Sequence, residues 1–298
     1  MILIVGGSGR LGGAVARRLL AEGKAVRAMS RTPSKLNDLA TLGAEVVSGD
    51  LRDPGSLARA CQGVDMVLAA AHAFDSAGRN VPGAVDDAGN RHLIDAARAA
   101  GVQHFVLTSI HGARADHPVD MFRCKYRAEQ YLRTSGLSYT ILRPTAYMEL
   151  WVEAILGKPI IRGGRAPIFG HGTNPINFVS VRDVARFAVI ALEDARAREQ
   201  VIEIGGPENL TLMQVVETIE RVTGRTANTV RIPLMMMRVM AVVARLINPA
   251  FSEKNLSSIE MDTQDMTFDP TPTLTRFPME LTRLEDVVRA WYSSQHGD

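Results

Sequence analysis

Cysteine is nearly missing from this chain. Only Cys61 and Cys124 occur among 298 residues, in no CxxC or Cys/His spacing, which argues against a disulfide framework and a metal site and suits a reducing compartment. An excess of either charge is missing too: 34 basic and 32 acidic residues leave a formal net charge of +2. Nucleic-acid binders carry a basic surplus or stripe, so DNA and RNA are not expected partners. No apolar run is long enough to cross a bilayer. The nearest, Pro233 to Ile247, is fifteen residues broken by Arg238 and Arg245, against the roughly twenty that a span needs. It reads as a helix covering a smaller second region, with a protein-partner or membrane-surface contact as the alternative because of its methionines. No charged leader precedes Ile2, so no removable signal peptide is expected and the expected location is cytoplasmic. Internal repeats and low-complexity tracts are absent.

What is there is ordinary globular material, 46% hydrophobic and 22% charged, in a length that fits a large α/β domain with a smaller partner. Short runs rich in Val, Ile, Leu and Ala at 2–6, 25–30, 45–48, 65–70, 103–109 and 138–143 predict strands. Helical patterns near 10–22, 33–41, 55–62, 84–100 and 119–135 separate them. Strict β/α alternation predicts a doubly wound parallel sheet in three αβα layers. After Pro144 the rhythm breaks. "FVSVRDVARFAVIAL" predicts a short strand running into a helix, and "VIEIGG" at 201–206 one more strand of the main sheet. Helices are expected near 211–223, 233–247 and 283–292, with irregular sequence between the last two. The expected division is a nucleotide-binding domain over 1–150, rejoined by 176–206, and a smaller substrate or partner region over 151–175 and 207–298.

The first strand leads straight into Gly6-Gly7-Ser8-Gly9-Arg10-Leu11-Gly12-Gly13 and then a helix. In a doubly wound sheet this turn lies where strand order reverses, and the amides opening the helix make an anion site. Gly6 lets the chain turn sharply, Gly9 lets backbone approach a diphosphate, and Gly12 lets the helix lie close to the sheet. The plain alternative is a tight turn; the position, directly after a strand and before a helix, favours dinucleotide binding with Ser8, Arg10 and Leu11 in the cradle. The second strand ends in Ser30-Arg31, with Lys35 following and no carboxylate between Lys24 and Leu36. A basic side chain there pairs with a 2′-phosphate, so NADP(H) is the expected cofactor, Arg31 and Lys35 being otherwise a solvated helix start. Asp50 and Leu51, after the third strand, are candidates for the adenine amino group and ring, with Asp53 the better N-cap for the next helix. Ala70 and Ala71, in "AAAH", leave room for the cofactor backbone.

The segments "GGSGRLGG", "MSRTPSK", "VVSGDLRD", "DDAGNRHLIDAARAAGVQHFVLTSI", "KYRAEQYLRTSGLSYTILRPTAYMEL", "INFVSVRDVARFAVIAL" and "IGGPENLTLMQVVETIERVTGR" together resemble the NmrA-like group of atypical short-chain dehydrogenase/reductases. The resemblance spans about residues 1–225. It implies a Rossmann cofactor domain with a small C-terminal substrate region. Relatives by this pattern include quinone reductases, NADP-binding regulators, a complex I accessory subunit and a photosystem assembly factor. The group's mainstream enzymes place a tyrosine acid/base four residues before a lysine. Here Met121 precedes Lys125, and none of the five tyrosines has a lysine four residues on. Methionine has no proton to donate, so alcohol oxidation or sugar epimerisation by that tyrosine is not expected.

Lys125 remains, with Glu129 one helical turn on and on the same face. By resemblance Lys125 meets the cofactor ribose or substrate; otherwise it is a surface ion pair. Ile110 falls where the mainstream serine sits, which leaves Ser109 and His111 as the polar candidates beside it. Pro144 and Tyr147 follow the sixth strand, where the group's backbone meets the nicotinamide; Tyr147 is either a stacking surface for a substrate ring or core packing. Residues 151–175 and 206–280 are expected on the substrate side. An electron-poor acceptor takes hydride with little help beyond proximity. The first functional expectation is therefore an NADPH-dependent reductase of a small acceptor such as a quinone, dye or conjugated carbonyl. The alternative is a non-catalytic NADP(H)-binding regulatory or complex-assembly protein, with 233–247 as its partner surface.

Overall fold

The computed structural model describes residues 1–73 and 81–296; the side chains of residues 245–247, 249, 250 and 296 lie outside that description, so the end of the 233–247 segment is followed in backbone only. Along the chain come β1 (Ile2–Val5), α1 (Arg10–Ala21), β2 (Val26–Ser30), α2 (Asn37–Thr41), β3 (Glu45–Ser48), α3 (Pro54–Cys61), β4 (Met66–Ala69), α4 (Ala88–Ala99), β5 (His104–Thr108), α5 (Asp120–Arg133) and β6 (Tyr139–Pro144). There follow β7 (Ala146–Tyr147), α6 (Gly157–Ile161), β8 (Arg165–Phe169), β9 (Ile176–Val179), α7 (Val181–Glu193), β10 (Gln200–Ile204), β11 (Asn209–Leu210), α8 (Leu212–Thr223), β12 (Asn228–Ile232), α9 (Leu234–Ile247), α10 (Pro249–Thr263), α11 (Thr271–Arg276) and α12 (Leu284–His296). Backbone contacts divide this into two compact units, Met1–Arg143 with Val184–Glu203, and Pro144–Asp183 with Ile204–Asp298.

The first unit is built on a seven-stranded sheet in the order β3-β2-β1-β4-β5-β6-β10, parallel from β3 through β6. Order reverses between β1 and β4, so the β1–α1 turn and the loop after β4 meet at the switch point. All four residues of β1 are buried, as a central strand covered on both faces requires. Leu3, Val5, Val67, Ala69, Phe105, Leu107 and Ile141 face one core with Leu93 and Ile94 of α4 and Leu132 of α5. Two expected helices are interrupted. The 33–41 segment becomes a 3₁₀ turn over Pro33–Leu36 and the short α2, and α4 is preceded by a wide π-type turn over Gly83–Asp87.

The second unit has its own core, in which Trp151, Val152, Ile168, Phe178, Val215, Ile219, Val288 and Trp291 meet. Its strands form β11-β9-β7 and the parallel pair β12-β8. The segment that rejoins the first unit, Val184–Glu203, is narrower than the expected 176–206. Ile176–Val179 pairs with β7 and β11 of the second unit, and the return begins at Val184. Asn177 holds β9 there: it is buried, its amide donates to the Gly206 carbonyl at 3.1 Å, and its oxygen accepts from the Gly206 N–H at 2.7 Å. The irregular stretch expected after 247 is also corrected, because α10 and α11 occupy much of it.

Candidate functional site

The glycine turn is shaped by what it cannot accommodate. Gly6 has φ +88°, and a Cβ there would lie 2.8 Å from the Ala71 nitrogen; a Cβ on Gly12 would lie 2.4 Å from the Gly6 carbonyl oxygen. Glycine is therefore required at both positions, one for its left-handed backbone and one for close approach. Gly6 and Gly7 donate to the Met29 carbonyl at 3.2 and 3.1 Å, which pins the turn to β2. Helix α1 begins at Gly9 with no side-chain cap. The first intrahelical bond is Gly13 N–H to the Gly9 carbonyl at 2.9 Å, so the amides of Arg10, Leu11 and Gly12 point out of the helix end. Ser8, Gly9, Arg10, Arg31 and Lys35 are exposed, Ser8 Oγ lying 3.0 Å from Ser30 Oγ, while Leu11 is buried. Ala70 and Ala71 close the turn from β4. The structure thus brings these residues of the expected cradle to one edge of the sheet.

Two adenine candidates come out differently. Asp50 is engaged by its neighbour: Arg52 Nε donates to its two carboxylate oxygens at 2.9 and 3.2 Å. The Arg52 hydrogen bond holds the Asp50 carboxyl below its usual range against the opposing effect of burial, with Arg31 adding a small push in the same direction. Leu51 is 5% exposed and packed in the first core. Asp53 caps α3 as expected, accepting from the Gly55 N–H at 3.0 Å.

Lys125 is no surface residue. It is 4% exposed, and its ammonium lies 2.9 Å from Asp86 Oδ1 and donates to the Thr108 carbonyl at 2.9 Å. The expected neighbour on its helix, Glu129, instead accepts from Arg143 Nε at 2.9 Å and from Arg143 Nη2 at 2.5 Å. Ser109 donates its hydroxyl to the same Glu129. Arg143 continues to Glu203 at 3.0 Å, and His111 Nδ1 lies 2.7 Å from the other Glu203 oxygen. Burial alone would raise the Glu203 carboxyl, but His111 and Arg143 outweigh it and hold the group below its ordinary value. Met121, at the tyrosine position, is 7% exposed in the first turn of α5.

Asp86, Arg143 and Glu203 were missed as site residues in the sequence. The signal was there in "ILRPT" and "VIEIGG", where a charged side chain interrupts an apolar strand; ionised groups are seldom buried there without a partner.

In the second unit, Pro144 is buried and Tyr147 half-buried, paired across β7–β9 opposite Val179. Burial pushes the Tyr147 phenol above its ordinary value, with Glu149 adding to it. Residues expected on the substrate side, among them Trp151, Phe169, Asn174, Leu212 and Met261, line a cavity of about 10 Å³. That is room for one water, and too little for an organic acceptor.

A doubly wound sheet carrying a glycine turn at its switch point defines a Rossmann-type α/β protein. The chain belongs to the NmrA-like family, which residues 1–270 match. It is 26% identical to the photosystem II assembly factor Ycf39 of Trieres chinensis, over 98% of this chain and 92% of that one. It is 31% identical to an NAD(P)H azoreductase of Xenophilus azovorans, over 78% of each. In fold it is similar to an NADPH-dependent quinone oxidoreductase of Escherichia coli solved with NADPH, at TM-score 0.78 and 23% identity, covering 98% of this chain and all of that one. Among the described residues no helix is long and apolar enough to cross a membrane.

Proposed function

We propose that the first unit binds NADP(H) on its glycine turn and that the protein transfers hydride from NADPH to a small, flat, electron-poor acceptor such as a quinone, a dye or a conjugated carbonyl. The observation that carries this is the squeeze at Gly6 and Gly12 beside a helix end that no side chain caps. A cradle where a Cβ would collide and three amides point outward fits a diphosphate. Arg31, exposed at the end of β2, supplies a guanidinium for the 2′-phosphate. When bound, the reduced nicotinamide supplies the hydride. Lys125 donates one N–H to the Thr108 carbonyl and forms an ion pair with Asp86, and a further N–H is its means of holding a ribose hydroxyl. Asp86 keeps that ammonium compensated inside the fold. Met121 offers no proton, which restricts the acceptors to those that take one from water or from His111. The azoreductase and quinone oxidoreductase relatives support this class of acceptor.

A second reading is favoured by Met121 together with the likeness to Ycf39 over nearly the whole chain: a non-catalytic NADP(H)-binding regulatory or assembly protein. Purified protein mixed with NADPH and a panel of quinones and dyes, followed at the reduced-nicotinamide absorbance, separates the two. Turnover of at least one acceptor is expected. Tight NADPH binding with no turnover across the panel would replace the first reading by the second.

A further inference from the structure

Helix α9 is apolar on both of its sides, and the two sides meet different surroundings. Met237, Ala241 and Ala244 are buried, and α10 packs with α9: the Ser252 hydroxyl donates to the Ala241 carbonyl at 2.7 Å. Met235, Met236, Val239, Val242 and Val243 are 46 to 72% exposed. Their spacing makes one continuous stripe on a helix of 3.6 residues per turn. Phe251, in the first turn of α10, is 42% exposed as well. Single exposed apolar side chains need no account, whereas five in one stripe form a surface that rests against something.

Charge decides what that is. From Arg221 to Ser252 the sequence holds five arginines and no Asp, Glu or Lys, although the whole chain is nearly neutral. Arg225, Arg231 and Arg238 are exposed, Arg231 in β12 just before the helix and Arg238 within it. A second copy meeting this face across a two-fold axis would set the same arginines against each other. An anionic bilayer satisfies both features, with the acyl boundary receiving Met and Val and the headgroup phosphates receiving arginine. Fourteen residues are too few to span, so the helix would lie in the interface.

We propose that α9 docks the protein onto the surface of an anionic lipid bilayer, with Met235, Val239 and Val242 at the acyl boundary and Arg231 and Arg238 at the headgroups. No residue of the nucleotide-binding turn takes part, so this proposal and the reductase reading fail or stand separately.

The test is flotation of the full chain with phosphatidylcholine vesicles and with vesicles of three parts phosphatidylcholine to one part phosphatidylglycerol, at low and high salt. Binding to the anionic vesicles, lost at high salt, is expected. Replacing Met235→Ser, Val239→Ser and Val242→Ser together should abolish it, with an unchanged melting temperature because all three are exposed. Arg231→Gln with Arg238→Gln should weaken it roughly fivefold for each charge removed. Wild-type protein that stays out of both vesicle fractions overturns the proposal. So does serine-substituted protein that floats as well as wild type. A wild-type dimer that the serine substitutions dissociate, with no vesicle binding, assigns the face to a second copy and also overturns it.

Discussion

Lys125 Nζ sits 2.9 Å from Asp86 Oδ1, with 5% and 0% of the two side chains reaching solvent. Asp86 Oδ2 accepts the Ala73 N–H at 3.0 Å. One ion pair thereby joins the middle of α5, the wide turn before α4 and the loop after β4. The lysine that the sequence offers as a ligand-holding group is also a structural one, and the two roles can be separated by measurement.

Asp86→Asn leaves an ammonium buried without its counter-charge, and Lys125→Met leaves a carboxylate in the same position. Each single change should cost about 3–5 kcal/mol in urea unfolding. The double variant Asp86→Asn with Lys125→Met should recover most of that loss, because no charge is left stranded and the amide oxygen can still accept from the Ala73 N–H. Single variants as stable as wild type would show that the pair contributes nothing. Nicotinamide affinity in the double variant then reports the ligand-holding role alone.

Gly12→Ala places a methyl group 2.4 Å from the Gly6 carbonyl oxygen, and backbone cannot yield as a flexible side chain can. The start of α1 must move away from the turn, taking its outward amides with it. NADPH affinity by calorimetry should fall at least tenfold, on the order of 1.4 kcal/mol or more. Gly13→Ala is the control, since its nearest contacts are 3.2 Å to the Gly7 carbonyl oxygen and 3.3 Å to the Arg17 guanidinium. Equal affinity in the two variants would mean that the turn does not hold the diphosphate.

The middle of the first unit's sheet was legible because its inner strands are largely buried and so are written as apolar runs; β1, β2 and β4 lie within a residue or two of their expected bounds. Helix α10 was not legible, because "PAFSEKNLSSIEMDT" carries no apolar stripe. Its one local signal is the Asn-Pro start, in which the Asn248 side chain accepts from the Phe251 N–H at 3.2 Å. The turn at the switch point could be read from spacing alone, as backbone geometry dictates glycine there. The partners of Lys125 and Glu129 could not: Asp86 and Arg143 lie on other elements, and helical spacing suggested a Lys125–Glu129 pair that the fold replaces with two long-range ones.

Arg31 is exposed at the end of β2, and no acid precedes it back to Lys24. Arg31→Ala should weaken NADPH binding while leaving NADH nearly unchanged. A charge-assisted contact of about 1.5 to 3 kcal/mol makes the change in preference roughly ten- to a hundredfold. The ratio of the two dissociation constants, wild type against variant, is the measurement. A ratio that does not move assigns the 2′-phosphate to another group or removes the preference altogether.

His117 gives the pH dependence its sign. It is 5% exposed, its ring is stacked on Phe122 at 3.9 Å, and Nδ1 accepts the Val119 N–H at 3.1 Å. Burial, followed by the nearby Arg114, pushes its pKa down from 6.5 to about 4. The unfolded chain therefore binds a proton that the folded one refuses throughout that window. The stability is complete above about pH 6.5 and is lost as the pH falls towards 4, by about 3 kcal/mol. His117→Gln cannot titrate, so the wild-type curve of unfolding free energy should drop below the variant's progressively between pH 6.5 and 4 after the two are matched at pH 7.5. Other acids titrate alike in both proteins and cancel in that difference. Curves that stay parallel down to pH 4 would mean that the imidazole is as protonatable in the fold as out of it.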